Sequence, residues 1–366
     1  MKALLLTALL VLTIGCRKPQ LSVAPPPVQM SPASGVLAAA GFSRIKETRE
    51  LEIGHAPIPR LPARGERLFY VSLNGHFYQV NLNTLETEGD VKLTDGLYGT
   101  PALNYPLMFF STERGHDGLQ VYDLIRAKTV KELEVSPARV SPVIAASHLI
   151  HCALDGRISA FALPGLQKKW SVDLGQRILA DPLVSGGNIL ITGRDGHLAS
   201  YRAGDGMLNW SIDLDDAFYT TPALWQNHLY WAAYSGKVYK ISEESGAREG
   251  TYNGHAPIYQ SPRINATGLY VPYADGTLKA FETGTKKVRW TQHLDGPFSA
   301  PLLLTNNVLY SSQMSRKFYI LSLQDGAILQ MEEPGGRPLS QPLQTDDRLY
   351  LMVSPGIIKE YQHEKK

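Results

Sequence analysis

Few side chains in this sequence stand at the spacings that catalysis needs. There are 10 histidines and 2 cysteines, but none has partners at zinc-ligand spacing, and no serine occupies a nucleophile elbow. No glycine loop of the phosphate-cradling kind is present. His55 and His255 fall in a repeated pentapeptide, GHAPI, at Gly54–Ile58 and Gly254–Ile258. They can be read as ligands or as a pH-sensitive pair, and more simply as one turn solution used twice. Cys152 lies in the apolar run Leu149–Leu154, where a thiol behaves as a small hydrophobe. Asp215 and Asp216 read as a solvated turn, not as calcium ligands. These residues imply no catalytic set, no metal and no cofactor.

The elements that carry these residues repeat. Pro62, Pro101, Pro142, Pro182, Pro222, Pro262, Pro301 and Pro342 are spaced by 39, 41, 40, 40, 40, 39 and 41 residues. The clearest copy starts at Pro182, with the apolar strand Ile189–Ile191, the turn Asp195-Gly196, and an alternating run His197–Tyr201. A second turn at Asp205-Gly206 and a strand with Trp210 complete it. Asp-Gly between apolar runs predicts a type I′ hairpin turn, with positive φ at both central residues. Equivalent turns stand at Asn74-Gly75, Asp117-Gly118, Asp155-Gly156, Ser235-Gly236 and Asp275-Gly276, with Ser315-Arg316 and Ser354–Gly356 as degenerate copies. Gly156, Gly196 and Gly276 are therefore expected to be structural.

Four strands every 40 residues or so predict an all-β, eight-bladed β-propeller of four-stranded antiparallel blades. The eighth copy lacks its last strand, and Arg49–Ile53 matches the missing one. The N-terminal strand is expected to pair into the C-terminal blade and close the ring, so that loss of residues 43–54 weakens the whole ring.

Other segments frame the propeller, which is assigned to 44–362. Residues 1–15 read as a signal: Lys2, the apolar run Ala3–Ile14, then Gly15. The pattern resembles a bacterial lipoprotein signal, which makes Cys16 the lipidation site, carrying acyl chains such as palmitate. Thr13 departs from it, since an aliphatic is preferred there. Residues 16–43 are rich in proline and small residues and predict a disordered tether; 363–366 read as a charged tail. The net charge of +2 and the absence of basic runs give no case for nucleic acid.

Trp170, Trp210 and Trp290 each fall 28 residues after their prolines, behind segments such as AGDGMLNW and ETGTKKVRW. With Ser159–Phe161, Ser200-Tyr201 and Lys279–Phe281 upstream, this resembles the PQQ-like repeat over about 47–361. The tryptophans read as wedges between blades. Two families with this repeat differ in what they imply. Quinoprotein dehydrogenases hold pyrroloquinoline quinone and calcium beside adjacent cysteines, which this sequence lacks, and they are far longer. The BamB family of outer-membrane assembly lipoproteins shares the signal type, tether, length and blade count.

That resemblance implies a non-enzymatic, lipid-anchored, monomeric scaffold at the outer membrane, facing the periplasm. It would act without cofactors through protein contacts with the BamA-type barrel-assembly protein. The family's Leu-Arg-Gly contact segment is missing here. A propeller that binds another envelope protein or a glycan is the alternative, and a PQQ- and calcium-dependent dehydrogenase is a more distant one. Arg17 after Cys16 fits outer-membrane sorting in enterobacteria.

A docking site can be placed by rotation. Three residues before the repeat prolines stand Tyr98, Arg139, Leu179, Tyr219, Tyr259, Phe298 and Leu339, which a propeller arranges in a circle on one face. Aromatics beside arginine suit a protein interface, so Tyr219, Tyr259 and Phe298, flanked by Arg139, Arg177 and Arg337, are the expected patch. Packing of the same rings between blades is the competing expectation, and solvent exposure decides between them.

Overall fold

A computed structural model describes residues 44–93, 96–113, 118–345 and 347–364. The expected signal, Cys16, the tether to residue 43, Asp117 of the second hairpin turn, and residues 365–366 lie outside them. Among the described residues, 32 strands form eight four-stranded sheets, one per repeat. No helix there is long and apolar enough to cross a membrane. Blade 4 comprises Leu183–Ser185, Asn188–Thr192, His197–Arg202 and Leu208–Asp213, each strand antiparallel to the next. The first strands of neighbouring blades contact one another and line the axis.

Position in the blade explains the residue pattern. The two middle strands are sandwiched between neighbouring blades, so both faces are buried and apolar or small residues run continuously. Ile189, Leu190 and Ile191 are buried, and so are Leu198, Ala199, Ser200 and Tyr201, where strict alternation was expected. The outer strand Leu208–Asp213 faces solvent on one side and does alternate. Eight apolar clusters result, each shared by two adjacent blades. One joins Ile150, Ile158 and Ala160 of blade 3 to Ile189, Ile191 and Tyr201 of blade 4; the buried Cys152 belongs to it, and burial pushes its thiol pKa up. Another joins Tyr350, Met352 and Ile358 of blade 8 to Leu68, Tyr70 and Val80 of blade 1. Each such side chain contributes roughly 1.5–3 kcal/mol when fully buried, so stability resides in the contacts between sheets.

The hairpin turns differ from the expected type. Gly196 has φ of 103°, but Asp195 is not among the residues with positive φ, and the same holds for Gly156 with Asp155 and Gly276 with Asp275. The Gly196 N–H donates to Gly193 C=O and the Gly193 N–H to His197 C=O. This is a type I turn followed by a left-handed glycine bulge, a three-residue loop in place of type I′. The glycine is required by its neighbours as well as by φ. A Cβ on Gly196 would lie 1.9 Å from Leu214 O, and one on Gly276 2.6 Å from Gly296 O.

The tryptophans latch successive blades. The indole N–H groups of Trp170, Trp210 and Trp290 donate to the carbonyls of Ala203, Glu243 and Leu323, each in the next blade, at 3.0, 2.8 and 3.1 Å. Each ring lies flat on a glycine of that blade's last turn, Gly206, Gly246 or Gly326, where a Cβ would approach within 2.7, 2.5 or 2.6 Å. Blade 7 has Gln330 forty residues after Trp290. It serves the same junction by a different chemistry: its side chain donates to Ile45 C=O at 2.6 Å and accepts from Ile45 N–H at 2.9 Å.

That contact belongs to the ring closure. The N-terminal strand runs over Ile45–Glu52, starting four residues before the expected Arg49, and pairs antiparallel with Ile357–His363. It completes the sheet of Leu343–Gln344 and Arg348–Val353. The pairing includes His363, and Glu364 N–H donates to Arg44 C=O at 2.7 Å. The propeller thus extends two residues past 362, into what was read as tail.

A bulge between Glu47 and Arg49 turns Thr48 toward Glu360, whose carboxylate is 0% exposed. Arg49 grips it with Nε at 2.9 Å and Nη2 at 2.5 Å, Thr48 Oγ1 donates at 2.7 Å, and Arg348 stands 3.5 Å away. Arg49 also donates to Asn83 C=O of blade 1 at 2.9 Å. Burial by itself would raise the Glu360 carboxyl, but the hydrogen bonds of Arg49 and Thr48 and the charges of both arginines hold it below the usual carboxylate range.

Arg49→Ala strands a buried carboxylate and should lower unfolding free energy by about 3 kcal/mol, measured by urea denaturation. Because the folded-state carboxyl is held low, the pair stabilises fully above the unfolded carboxylate range and its contribution fades as pH falls below it. Glu360→Gln should therefore be less stable than wild type at neutral pH and match it progressively in acid. At the latches, Gly326→Ala must push against Trp290, whereas Gly284, also at positive φ, has nothing within 4 Å. Gly284→Ala should cost only the left-handed strain of about 1–2 kcal/mol, and Gly326→Ala clearly more, by thermal denaturation.

Candidate functional site

One face of the ring is a double layer of loops. In every blade the hairpin between the two middle strands binds back to the connection that leads into the blade. Leu73, Leu154, Arg194, Tyr234, Ala274, Met314 and Ser354 donate their N–H groups to Ala56, Pro137, Arg177, Ala217, Pro257, Pro297 and Arg337 C=O, and Glu113 to Gly96 C=O, at 2.7–3.1 Å. These bonds fix which side chains meet. A residue at a hairpin tip is brought beside one of the expected arc residues although 17 positions separate the bonded pair.

Tyrosines meet in this way over blades 4 to 6. Tyr219 and Tyr259 are neighbours at 6.1 Å between ring centroids, and Tyr234 of the blade 5 hairpin packs edge-on to both, at 6.2 and 5.8 Å. Tyr234 is 45% and Tyr259 52% exposed, while Tyr219 is half-buried between them. Arg194, at the blade 4 hairpin, is hydrogen-bonded to Tyr219, which with the charges of Tyr219 and Asp195 holds its guanidinium above its ordinary pKa. The hydrogen bond with Tyr234 likewise raises the Tyr259 hydroxyl. The result is an open aromatic platform edged by Arg194.

The structure redistributes the other arc residues. Phe298 does not stand beside the tyrosines. It is 8% exposed and packs with Leu294, Leu302, Leu309 and Tyr319. Ile178, Phe218, Ile258 and Phe298 recur every 40 residues and are all buried, whereas Pro262 to Pro301 is 39. Counting back from Pro301 therefore lands one residue out of phase, on the inward side of an extended segment; Ser299 holds the phase of Tyr219 and Tyr259.

Tyr98 and Arg139 form a second, smaller pair, the guanidinium 5.6 Å over the ring and ion-paired to Glu113. Leu179 and Leu339 are half-buried, and Arg177 and Arg337 are exposed, with Arg337 N–H donating to Ser354 Oγ at 2.9 Å. Tyr234 and Arg194 were missed by counting from the prolines alone. The hairpin positions also present exposed Leu73 and Met314, and their recurrence every 40 residues from Leu154 to Ser354 is the signal that would have found them.

The groups with chemical potential are engaged locally. His55 Nδ1 bonds the Tyr78 hydroxyl at 2.5 Å and its ring stacks on His76 at 4.5 Å, whereas His255 Nε2 bonds Asp275 at 2.9 Å. Asp216 is no mere solvated turn residue: it accepts from Ser235 N–H at 3.2 Å and from the Tyr239 hydroxyl at 3.0 Å, and so holds the blade 5 hairpin. Among the described residues no group of three or more histidine, cysteine, aspartate or glutamate side chains is placed to hold a metal ion.

Comparison with known proteins agrees with the fold. Residues 154–267 match the family model described as outer membrane protein assembly factor BamB. No curated protein matches the chain. The crystal structure of BamB from Moraxella catarrhalis superposes with a TM-score of 0.75 at 16% identity, covering 87% of this chain and all of that one. The computationally designed Ika8 protein superposes at 0.73 with 13% identity, over 84% of this chain and 96% of its own. With a designed propeller fitting nearly as well as a natural one, the superposition speaks for architecture alone. The chain is an eight-bladed β-propeller of PQQ-like repeats that resembles BamB.

Proposed function

We propose that this propeller is a non-enzymatic scaffold of the bacterial envelope that supports assembly of outer-membrane β-barrel proteins through protein–protein contacts. The observation that carries the reading is the exposed platform of Tyr219, Tyr234 and Tyr259 with Arg194, on a propeller that resembles BamB. Tyrosine supplies large contact area at low entropic cost, and arginine supplies directional hydrogen bonds, the composition that dominates protein interfaces. The partner is a protein of the BamA type, docked on the loop face. Leu179 and Arg177 flank the platform, while Tyr98 with Arg139 and Leu339 with Arg337 extend the contact around the ring.

Anchoring supplies what a shallow patch lacks in affinity. Lipidation at Cys16 places the ring at the outer membrane, facing the periplasm, and the segment 16–43 acts as its leash. A contact too weak to persist in free solution is then held at millimolar effective concentration. Two or more acyl chains are needed for a stable anchor.

Photo-crosslinking in membranes of the native host tests this. A probe at Tyr219, Tyr234 or Tyr259 should capture the barrel-assembly protein, and one at Arg289, exposed on the outer strand of blade 6, should not. Capture from Arg289 alone, or from none of these sites, would overturn the docking face; capture of a different envelope protein would keep the face and replace the partner. Dye-linked dehydrogenase activity gained on adding pyrroloquinoline quinone and calcium would refute the non-enzymatic reading.

A further inference from the structure

The central channel carries two positive charges that the fold does not neutralise. Arg60 lies on the connection into blade 1 and Arg263 opens the inner strand Arg263–Ile264 of blade 6. Arg60 and the inner strands of blades 6, 7 and 8 border a cavity of about 490 Å³, with Arg60, Asn265, Thr305, Gln341, Gln344 and Thr345 among its polar lining. Arg263 adjoins it through its neighbour Ile264 and the Leu302 carbonyl that it shares with Gln341. This volume is typical of small-molecule sites, roughly 300–1,000 Å³. The cavity runs along the channel wall to the first turns of blades 6, 7 and 8, at the end away from the tyrosine platform.

The arginines are held but not paired. Arg263 Nε donates to Leu302 C=O at 2.9 Å, and Gln341 Nε2 donates to the same carbonyl at 3.0 Å. Among the described residues no carboxylate pairs with Arg60 or Arg263, and no acceptor meets the Arg60 guanidinium or the Nη groups of Arg263. The carboxylate of the channel belt, Asp181, accepts Ser141 N–H at 2.7 Å. Burial first, and then the like charge of Arg60, push the Arg263 guanidinium down to about 9, which still leaves it charged at neutral pH. A guanidinium with no carboxylate partner on the wall of a polar cavity is a ready seat for an oxyanion.

We propose that this cavity binds a small organic anion, a carboxylate- or phosphate-bearing solute gripped by Arg60, with Arg263 adjoining. The guanidinium forks match oxyanions in bidentate geometry, and Gln341, Gln344, Asn265 and the threonine hydroxyls supply further hydrogen bonds. Leu61, Ile264 and Leu303 on the same wall suit a short hydrocarbon backbone. Occupancy would tie blades 6, 7, 8 and 1 together across the seam where the ring closes.

The test uses citrate and inorganic phosphate with the folded propeller at constant ionic strength, sodium chloride being the reference salt. Citrate or phosphate should raise the melting temperature above the chloride control, and calorimetry should give saturable binding. Arg60→Gln should weaken that binding at least tenfold, with Arg60→Lys intermediate because it keeps the charge and loses the fork. In chloride alone Arg60→Gln should melt at the same temperature as wild type or higher, because no ion pair is lost with the charge. No anion-specific stabilisation, equal binding by Arg60→Gln, or a lower melting temperature of Arg60→Gln in chloride would each overturn the proposal.

Discussion

A four-stranded sheet whose two middle strands are apolar on both sides cannot bury itself, and every blade of this ring depends on two neighbours to do so. That requirement has no local solution at the ends of the chain. The ring must close, and it does so by placing Ile45–Glu52 beside Ile357–His363. Covering an edge strand would be reason enough, but the closure is also specified. Glu360 is buried where only Arg49 and Thr48 of the arriving strand, with Arg348, can satisfy its charge. A misregistered strand would leave a carboxylate without a partner, so the ion pair defines register as well as contributing stability.

The same logic is distributed around the axis in smaller steps. On the inner belt, Thr100 N–H is bonded by Ser141 Oγ, Ser141 N–H by Asp181, and Thr221 N–H by Ser261 Oγ, each about one repeat further on. At the periphery the tryptophan latches repeat the step at an offset of 33 residues. Blades are thus tied to their successors at both radii. Rigidity of this kind matters for a surface built of loops. The hairpin-to-connection bonds on the platform face orient Tyr219, Tyr234 and Tyr259 before any partner arrives, which lowers the entropic cost of docking.

The two ends of the channel divide the chemistry. The loop face exposes tyrosine rings with arginine beside them, a composition suited to a large partner. The cavity along blades 6 to 8 instead sets Arg60 among amides and hydroxyls with no carboxylate partner among the described residues, a composition suited to a small one. Two such compositions on one scaffold are a consequence of repetition. The repeat residues set the architecture, and only the positions free of that duty can differ from blade to blade.

Much of the fold was legible in the sequence because it rests on local chemistry repeated eight times. Prolines that open each blade, Asp-Gly turns, apolar triplets and Trp170, Trp210 and Trp290 recur at a period near 40, and the unmatched outer strand pointed to closure by the N-terminus. Where local spacing slipped, the inference slipped with it. The 39-residue step before Pro301 moved Phe298 from the rim into the core, because one residue reverses the side of an extended chain. Only the tertiary structure could decide what depends on juxtaposition: Gln330 in place of a tryptophan gripping Ile45, Tyr234 and Arg194 joining the tyrosine arc, and Arg60 sharing a cavity with Asn265, Gln341 and Gln344. A period of 40 marks the positions of Arg194, Tyr234 and Gln330 but not which side chains meet there, since the ring's curvature brings the partners together.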